Sequence, residues 1–77
     1  MTTIFINSVE YESEKAMLLN VNVSYNANTP KPRSIWFPKS VIESINDSTA
    51  EVKDWFIAKT EQSNAFHGYP MCIEKGF

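Results

Sequence analysis

The sequence predicts an α+β fold: a small antiparallel sheet of three to five strands, with one short helical turn and one helix from the C-terminal half packed on it. Three observations predict this class. Residues 15–25 alternate between apolar and polar side chains, which is the period of a half-buried strand. Residues 34–43 combine a short apolar strand, a proline and a helix-start signal. Residues 52–59 have the i, i+3, i+4, i+7 spacing of a helix.

Two strands are predicted in the N-terminal third of the chain. Residues 4–11 are rich in side chains that favour β geometry. Residues 15–25 form the clearest strand, and we expect one of its faces to lie on the core and the other to meet water or a partner. Ser13 and Glu14 make a tight connection, so the two strands pair antiparallel. The predicted core face of the second strand holds Met17, Leu19, Val21, Val23 and Tyr25, and its other face holds Asn20, Asn22 and Ser24.

A loop and a third strand are predicted next. Residues 26–33 contain two asparagines and two prolines, which restrict both helix and strand. A loop of this length often carries binding function, and a plain surface loop is an equally good interpretation. Residues 34–37 form the third strand, which ends at Pro38 because proline has no amide hydrogen to donate. Trp36 and Phe37 point to opposite faces, so one of them is exposed or covered by the helix.

The second half of the chain is predicted to contain the helical elements. Ser40 and Glu43 have the S-x-x-E spacing of a capping box, which predicts a helical turn over residues 40–45. Residues 50–53 fit either a fourth strand or the first turn of a helix. A helix is predicted over about residues 53–62, ending before Gly68. Alternate apolar side chains in the tail, of which Phe77 is the last, predict a final strand over residues 69–74.

Length and charge restrict the classes of function. The chain has 77 residues, 43% of them hydrophobic, and a net charge of −2. This size predicts a single domain, residues 1–77, with a small core. The acidic balance argues against coating duplex DNA, because such binding depends on clustered Lys and Arg. The single cysteine and the lack of a signal-peptide or membrane-spanning pattern predict a cytoplasmic protein.

No residue pattern indicates catalysis or a bound cofactor. His67, the only histidine, has no neighbouring acid, which favours a surface or turn position over a Cys–His pair with Cys72. Cys72 lies between Met71 and Ile73 and is expected to be a small core residue. With two glycines the chain has no phosphate-binding loop, and it has no metal motif. We therefore expect a protein that is not an enzyme and uses neither cofactor nor metal.

Two groups of side chains are candidates for binding a partner. Glu10, Glu12 and Glu14 alternate, so in a regular strand they share one face and form an acidic stripe. A solvated hairpin end is the simpler alternative. An exposed Trp36 can stack bases or anchor a protein interface, although core packing is the default for tryptophan.

Three short motifs between residues 15 and 59 carry a resemblance. They read Lys15-Ala16-Met17-Leu18, Trp36-Phe37-Pro38-Lys39-Ser40-Val41-Ile42 and Trp55-Phe56-Ile57-Ala58-Lys59. In these motifs the chain resembles a group of small proteins common in bacteriophage and prophage genomes. It departs from their pattern at Lys53-Asp54, where they often have a proline, and in residues 60–77, which extend past the end of many of them. The resemblance implies a phage or mobile-element origin and a compact β-rich fold, without an established activity.

These observations predict a non-enzymatic interaction protein that binds and sterically inhibits a host protein in the host cytoplasm. In kind and size it is similar to anti-CRISPR proteins, so a CRISPR nuclease complex is a candidate target. The alternative is a single-stranded nucleic-acid-binding accessory protein of phage replication or recombination. A structural or assembly component is a third class, since exposed sheet edges drive oligomers. The predicted partner-binding residues are Glu10, Glu12, Glu14, Tyr25, Lys31, Arg33, Trp36 and Lys39.

Overall fold

A computed structural model describes residues 1–25 and 29–76 and contains a six-stranded antiparallel sheet with one α-helix. Five strands follow the order β3-β2-β1-β5-β4, and β6 pairs with β2 beside this path. The elements in chain order are β1 (Thr2–Glu12), β2 (Ala16–Tyr25), β3 (Lys31–Pro38), a 3₁₀ turn (Lys39–Val41), β4 (Ile42–Ile45), β5 (Thr49–Val52), α1 (Asp54–Ser63) and β6 (Met71–Ile73).

The predicted fold class is wrong because the structure contains more strand than was predicted. The described residues are mostly sheet and form six strands, whereas an α+β fold with three to five strands was expected. The helix predicted over residues 53–62 is present as α1. The additional strand content comes from Ile42–Ile45 and from Thr49–Val52. Residues 50–53 were predicted to be either a fourth strand or the first turn of a helix, and most of them are strand.

The predicted helical turn over residues 40–45 is also wrong for most of its length. Only Lys39–Val41 is helical, its N-cap is Pro38, and no side chain caps it, so Ser40 and Glu43 do not form a capping box. Residues Ile42–Ile45 are extended and pair with β5, where Ile45 lies opposite Ala50. β-branched side chains suit a pleated strand, and the pairing satisfies backbone groups that a short helix would leave free.

Two β-bulges divide β1 into segments that face different ways. The pairing with β2 shifts register between Ile6 and Ser8, and again between Val9 and Tyr11. Asn7 and Glu10 are therefore the extra residues on β1. A bulge places two residues of one strand against one residue of its partner, which breaks the alternation of faces. Side chains along β1 do not follow the simple odd–even pattern that the sequence predicts.

The C-terminal segment fills the fork where β1 and β2 separate. β6 runs antiparallel to β2, and the Glu74 amide continues that pairing by donating to the Asn22 carbonyl at 2.8 Å. The chain then reverses direction along β1. The Phe5 amide donates to the Glu74 carbonyl at 3.1 Å, and the Gly76 amide donates to the Thr3 carbonyl at 2.7 Å. This segment therefore joins two strands that no longer pair with each other.

The core lies on one face of the sheet, which we call the packed face, beneath α1. Phe37 of β3 is fully buried and its ring centroid lies 5.4 Å from that of Phe56 in α1. The neighbouring Trp36 is 49% exposed on the other side, so the prediction that the two aromatics face opposite ways is confirmed. The buried hydrophobic residues are Ile4, Ile6, Leu19, Val21, Val23, Phe37, Val41, Ala50, Val52, Ile57, Met71 and Ile73.

The helix α1 is held at its first residue. The Asp54 carboxylate accepts a hydrogen bond from the Thr2 hydroxyl at 2.7 Å and lies 3.3 Å from the terminal ammonium of Met1. A carboxylate in the first turn also complements the positive end of the helix dipole. Neither α1 nor any other helix within residues 1–25 and 29–76 has the length and apolar character needed to cross a membrane.

Candidate protein-binding face

The face of the sheet opposite α1, which we call the open face, carries a row of three large side chains. Leu18 of β2 pairs with Tyr11 of β1 on one side and with Trp36 of β3 on the other. The Tyr11 and Trp36 rings meet edge to face with their centroids 5.8 Å apart. Tyr11 is 59% exposed and Trp36 49% exposed, and no described element covers them. We call Tyr11, Leu18 and Trp36 the aromatic row.

A chain of side-chain hydrogen bonds crosses the open face beside the aromatic row. The Asn7 amide nitrogen donates to the side-chain oxygens of Asn20 at 2.8 Å and Asn22 at 2.9 Å. Each of those asparagines in turn donates to a carboxylate, Asn20 to Glu10 at 2.7 Å and Asn22 to Glu74 at 3.0 Å. Asn7 follows the buried Ile6 and lies on the open face by strand alternation, and the bulge then brings Ser8 to the same face, opposite Asn20. The network holds two carboxylates in fixed positions.

Glu10 is the most strongly positioned of these carboxylates. One of its oxygens accepts from the Ser34 hydroxyl at 2.6 Å, and the other accepts from the Asn20 amide at 2.7 Å. Hydrogen bonds to the charged form lower the pKa of the Glu10 carboxyl below its ordinary value, Ser34 contributing most and Asn20 next. Glu10 is therefore charged at neutral pH.

Charge is divided between the two faces of the sheet. The register places Glu10, Glu51 and Glu74 on the open face. In contrast, Lys31 and Arg33 pair with Val23 and Val21, which places them on the packed face of β3. No Lys or Arg of the six described strands occupies an open-face position. The open face is thus acidic and partly aromatic.

Tyr25 and Arg33, two predicted binding residues, contact each other on the packed side. Arg33 donates to the Tyr25 hydroxyl and to the Asn64 side-chain oxygen, both at 3.2 Å. The Tyr25 hydroxyl donates to the Asn64 carbonyl at 3.1 Å. These contacts tie β2 and β3 to the chain that follows α1. Both residues have a structural role that the sequence did not indicate.

The predicted acidic stripe is absent from the described structure because the bulge at Glu10 breaks the alternation. Glu10 lies on the open face, whereas Glu12 forms an ion pair with Lys39 and lies opposite Met17 on the packed side. Glu14 is exposed in the connection between β1 and β2. The three carboxylates therefore do not form one surface, and the Lys39 ammonium is already paired with Glu12.

The predicted binding loop at residues 26–33 is only partly described. Asn26–Asn28 lie outside the described residues, and Lys31 and Arg33 belong to β3. Lys31 lines a shallow cleft together with Tyr25 and Phe66.

The two residues with reactive side chains, His67 and Cys72, are both exposed in the described structure. His67 is exposed in a turn, as predicted. Cys72 is exposed, so its predicted core position is wrong. It belongs to β6, where it pairs with Ser24 of β2 and lies between the buried Met71 and Ile73. Among the described residues, no group of three or more His, Cys, Asp or Glu side chains could hold a metal ion.

Sequence reasoning missed three residues of this surface, namely Tyr11, Leu18 and Asn7. Tyr11 and Leu18 were not recognised as neighbours of Trp36, because their contact depends on the register of three strands. Asn7 was not singled out, since its hydrogen bonds to Asn20 and Asn22 depend on how β1 pairs with β2. The asparagines of β2 were placed on the correct face by alternation, and this was the one signal available.

Comparisons with protein-family models, curated proteins and solved structures found no match to this chain. The resemblance to small phage proteins therefore stays a prediction.

Proposed function

We propose that this protein is a non-enzymatic binding protein that docks a basic surface of another protein against its open face and blocks that surface sterically. The observation that carries the proposal is the combination of an exposed aromatic row with carboxylates and no cation of the described strands on the same face. Exposed aromatic side chains are common anchors of protein interfaces, and complementary charge selects and orients the partner.

The fold supports rigid docking by this face. The aromatic row lies on three adjacent paired strands, and the asparagine network fixes the carboxylates beside it. A surface that is ordered before binding loses less conformational entropy when a partner arrives. The core and α1 lie on the opposite side, so a partner can cover the open face without disturbing them.

The proposed class of partner is a host protein, and a defence protein such as a CRISPR nuclease complex is the specific candidate. The support is the resemblance to small phage proteins and the similarity in size and acidity to inhibitors of that kind. An acidic surface is suited to occupying a groove that otherwise receives nucleic acid.

Single-stranded nucleic-acid binding, the alternative function, has one observation in its favour. Trp36 and Tyr11 are exposed and could stack bases. However, Lys31 and Arg33 lie on the other face of β3, Lys39 is paired with Glu12, and Glu10 lies beside the aromatic row. Phosphates would meet negative charge there. Oligonucleotide titration at two salt concentrations tests this function, which requires salt-dependent quenching of Trp36 fluorescence.

The proposed function is tested by comparative capture from host lysate. The bait is attached through its N-terminus, which lies beside Asp54 at the start of α1, so the open face stays accessible. We compare the wild-type chain with the double variant Tyr11→Ser and Trp36→Ser. We expect the wild type to retain a basic protein that the double variant does not retain, and the purified protein to bind wild type directly.

The matched control is Trp55→Ser. Trp55 is 59% exposed on α1, so the control removes a tryptophan that is somewhat more exposed than Trp36 and lies on the opposite side of the molecule. The Trp55 variant should retain the same protein as the wild type. Capture that depends on Trp55 and not on the aromatic row would contradict the proposed face.

A further inference from the structure

We infer that the open face recognises an arginine side chain of its partner, with the guanidinium paired to Glu10 and stacked on Trp36. The inference rests on the proposed function and names the chemistry by which the partner is recognised. It follows from three features of the site: the free acceptor positions of Glu10, the position of Trp36, and the lack of a cation near Glu10.

Glu10 has one unused acceptor position on each oxygen. A carboxylate offers about four lone-pair positions. Ser34 and Asn20 each occupy one position, on different oxygens. The remaining two positions, one on each oxygen, match the two parallel N–H donors of an arginine fork. Because protein donors already hold both oxygens, the carboxylate is oriented before the partner arrives.

Trp36 lies within reach of a guanidinium bound to Glu10. Ser34, which contacts Glu10, is two residues before Trp36 on the same face of β3, a separation of about 7 Å along the strand. A guanidinium is attracted to an aromatic ring within roughly 6 Å of its centre. Tyr11 meets Trp36 edge to face and limits the orientations of its ring.

Glu10, like Glu51 and Glu74 on the same face, has only neutral partners, and unlike those two it accepts hydrogen bonds on both oxygens. Glu12 pairs with Lys39, Glu43 with Lys53, and Glu61 with Lys75. Among the described residues no Lys, Arg or terminal ammonium lies within ion-pair distance of Glu10, whose side-chain donors are Ser34 and Asn20. Because the Glu10 carboxylate has no cation of its own, a cation that pairs with it beside the exposed Trp36 indole has to come from another molecule. Arginine fits better than lysine, because only the planar guanidinium can pair as a fork and stack at the same time.

The test uses the two indole N–H signals of the intact protein in two-dimensional NMR. Trp36 reports on the open face and Trp55, on α1, is an internal control. The probe is the acetylated and amidated peptide Gly-Arg-Gly-Arg-Gly, compared with the same peptide carrying lysine or citrulline in place of arginine. We expect the arginine peptide to shift the Trp36 signal and to leave Trp55 unchanged.

The arginine peptide should bind about two- to fivefold more tightly than the lysine peptide, because only the guanidinium can pair with Glu10 as a fork and stack on Trp36 at the same time. The citrulline peptide keeps the shape without the charge and should give no shift. Glu10→Gln should weaken arginine-peptide binding at least fivefold. The control Glu43→Gln changes a carboxylate that already has its own lysine and should leave binding within twofold of wild type.

Equal binding of the arginine and lysine peptides, an unshifted Trp36 signal, or unchanged binding by Glu10→Gln would each overturn the inference. Such a result together with capture that still depends on Tyr11 and Trp36 would remove arginine recognition alone. Loss of that dependence in the capture experiment would remove the proposed function as well. Ser34→Ala is a second variant that keeps the Glu10 charge. It removes the hydrogen bond that holds one Glu10 oxygen, so the carboxylate is less well oriented and should bind the arginine peptide more weakly.

Discussion

Adjacent residues Trp36 and Phe37 have opposite roles because strand geometry separates them. Phe37 is fully buried against α1, and Trp36 is half exposed on the open face. We expect Phe37→Ala to lower the free energy of unfolding by about 3–5 kcal/mol, since it leaves a cavity in a small core. Trp36→Ala should cost about 1 kcal/mol or less, mainly through the lost contact with Tyr11. Urea denaturation of the two variants measures both values.

A conservative substitution at Phe37 tests whether the loss of stability comes from lost burial or from any change of residue in β3. Phe37→Leu keeps most of the buried apolar volume and should be distinctly less destabilising than Phe37→Ala. A larger loss for Trp36→Ala than for Phe37→Ala would mean that the two faces are assigned the wrong way round.

The hydrogen bonds to Glu10 predict a specific titration behaviour. The pKa of Glu10 is lowered, chiefly by Ser34, so Ser34→Ala should raise it toward the ordinary glutamate value. A carboxyl whose pKa is lower in the folded than in the unfolded state adds stability above its unfolded pKa, and this is lost as the pH falls through its folded pKa. Carboxyl carbon NMR titration measures the pKa directly. Ser44→Ala, which removes a hydroxyl bound to Glu51, should leave the Glu10 titration unchanged.

At the scale of elements, the turn between α1 and β6 requires two successive residues in the left-handed backbone conformation. His67 and Gly68 have φ of 50° and 82°, and Phe66 and Tyr69 pair across them. Two successive positive φ values are typical of a type I′ turn, which favours Asn-Gly. Gly68→Ala should therefore destabilise the protein by about 1 kcal/mol, although no atom obstructs the added methyl group.

His67→Asn is the matched variant for this turn. Asparagine tolerates left-handed backbone better than histidine, so the change should be neutral or stabilising by a few tenths of a kcal/mol. Thermal denaturation of the two variants gives the comparison. A stabilising Gly68→Ala would contradict the positive φ at that position.

The strands differ in how far the sequence predicted them, and the reason is physical. β2 was predicted well because it alternates without interruption and Leu19, Val21 and Val23 on one face are buried. The alternation of β1 failed at Asn7 and Glu10, since bulges depend on how β1 fits β2 and not on local residue preference. The spacing of Ser40 and Glu43 was a valid local signal that pairing of β4 with β5 outweighed.

At the scale of the whole molecule, the C-terminal segment closes the sheet through contacts that are remote in sequence. Met71 and Ile73 are buried, whereas Cys72 between them is exposed. We expect Ile73→Ala to cost about 2–5 kcal/mol in unfolding free energy, and Cys72→Ala to change it by no more than about 0.5 kcal/mol. Urea denaturation under reducing conditions provides the measurement. Similar losses for both variants would contradict the alternation of faces in β6.

The candidate site shows the same limit on prediction from sequence. Trp36 and Glu10 were recognised as candidates from residue type, and both lie on the open face. Arg33 and Lys39 were grouped with Trp36 because they are close in sequence, yet strand alternation and an ion pair place them elsewhere. Residue type was enough to identify single residues of the open face. Which residues share that face depends on how β1, β2 and β3 pair, and this could not be predicted from the sequence.

The central claim is that the open face, and not the helical side, docks a partner. The most direct measurement is the dissociation constant of the captured and purified partner for Trp36→Ala and for Trp55→Ala, determined by calorimetry. An anchor residue at an interface typically contributes more than about 1–2 kcal/mol, so Trp36→Ala should weaken binding roughly tenfold, while Trp55→Ala should change it less than about twofold. A tenfold loss with Trp55→Ala and unchanged affinity with Trp36→Ala would contradict the claim.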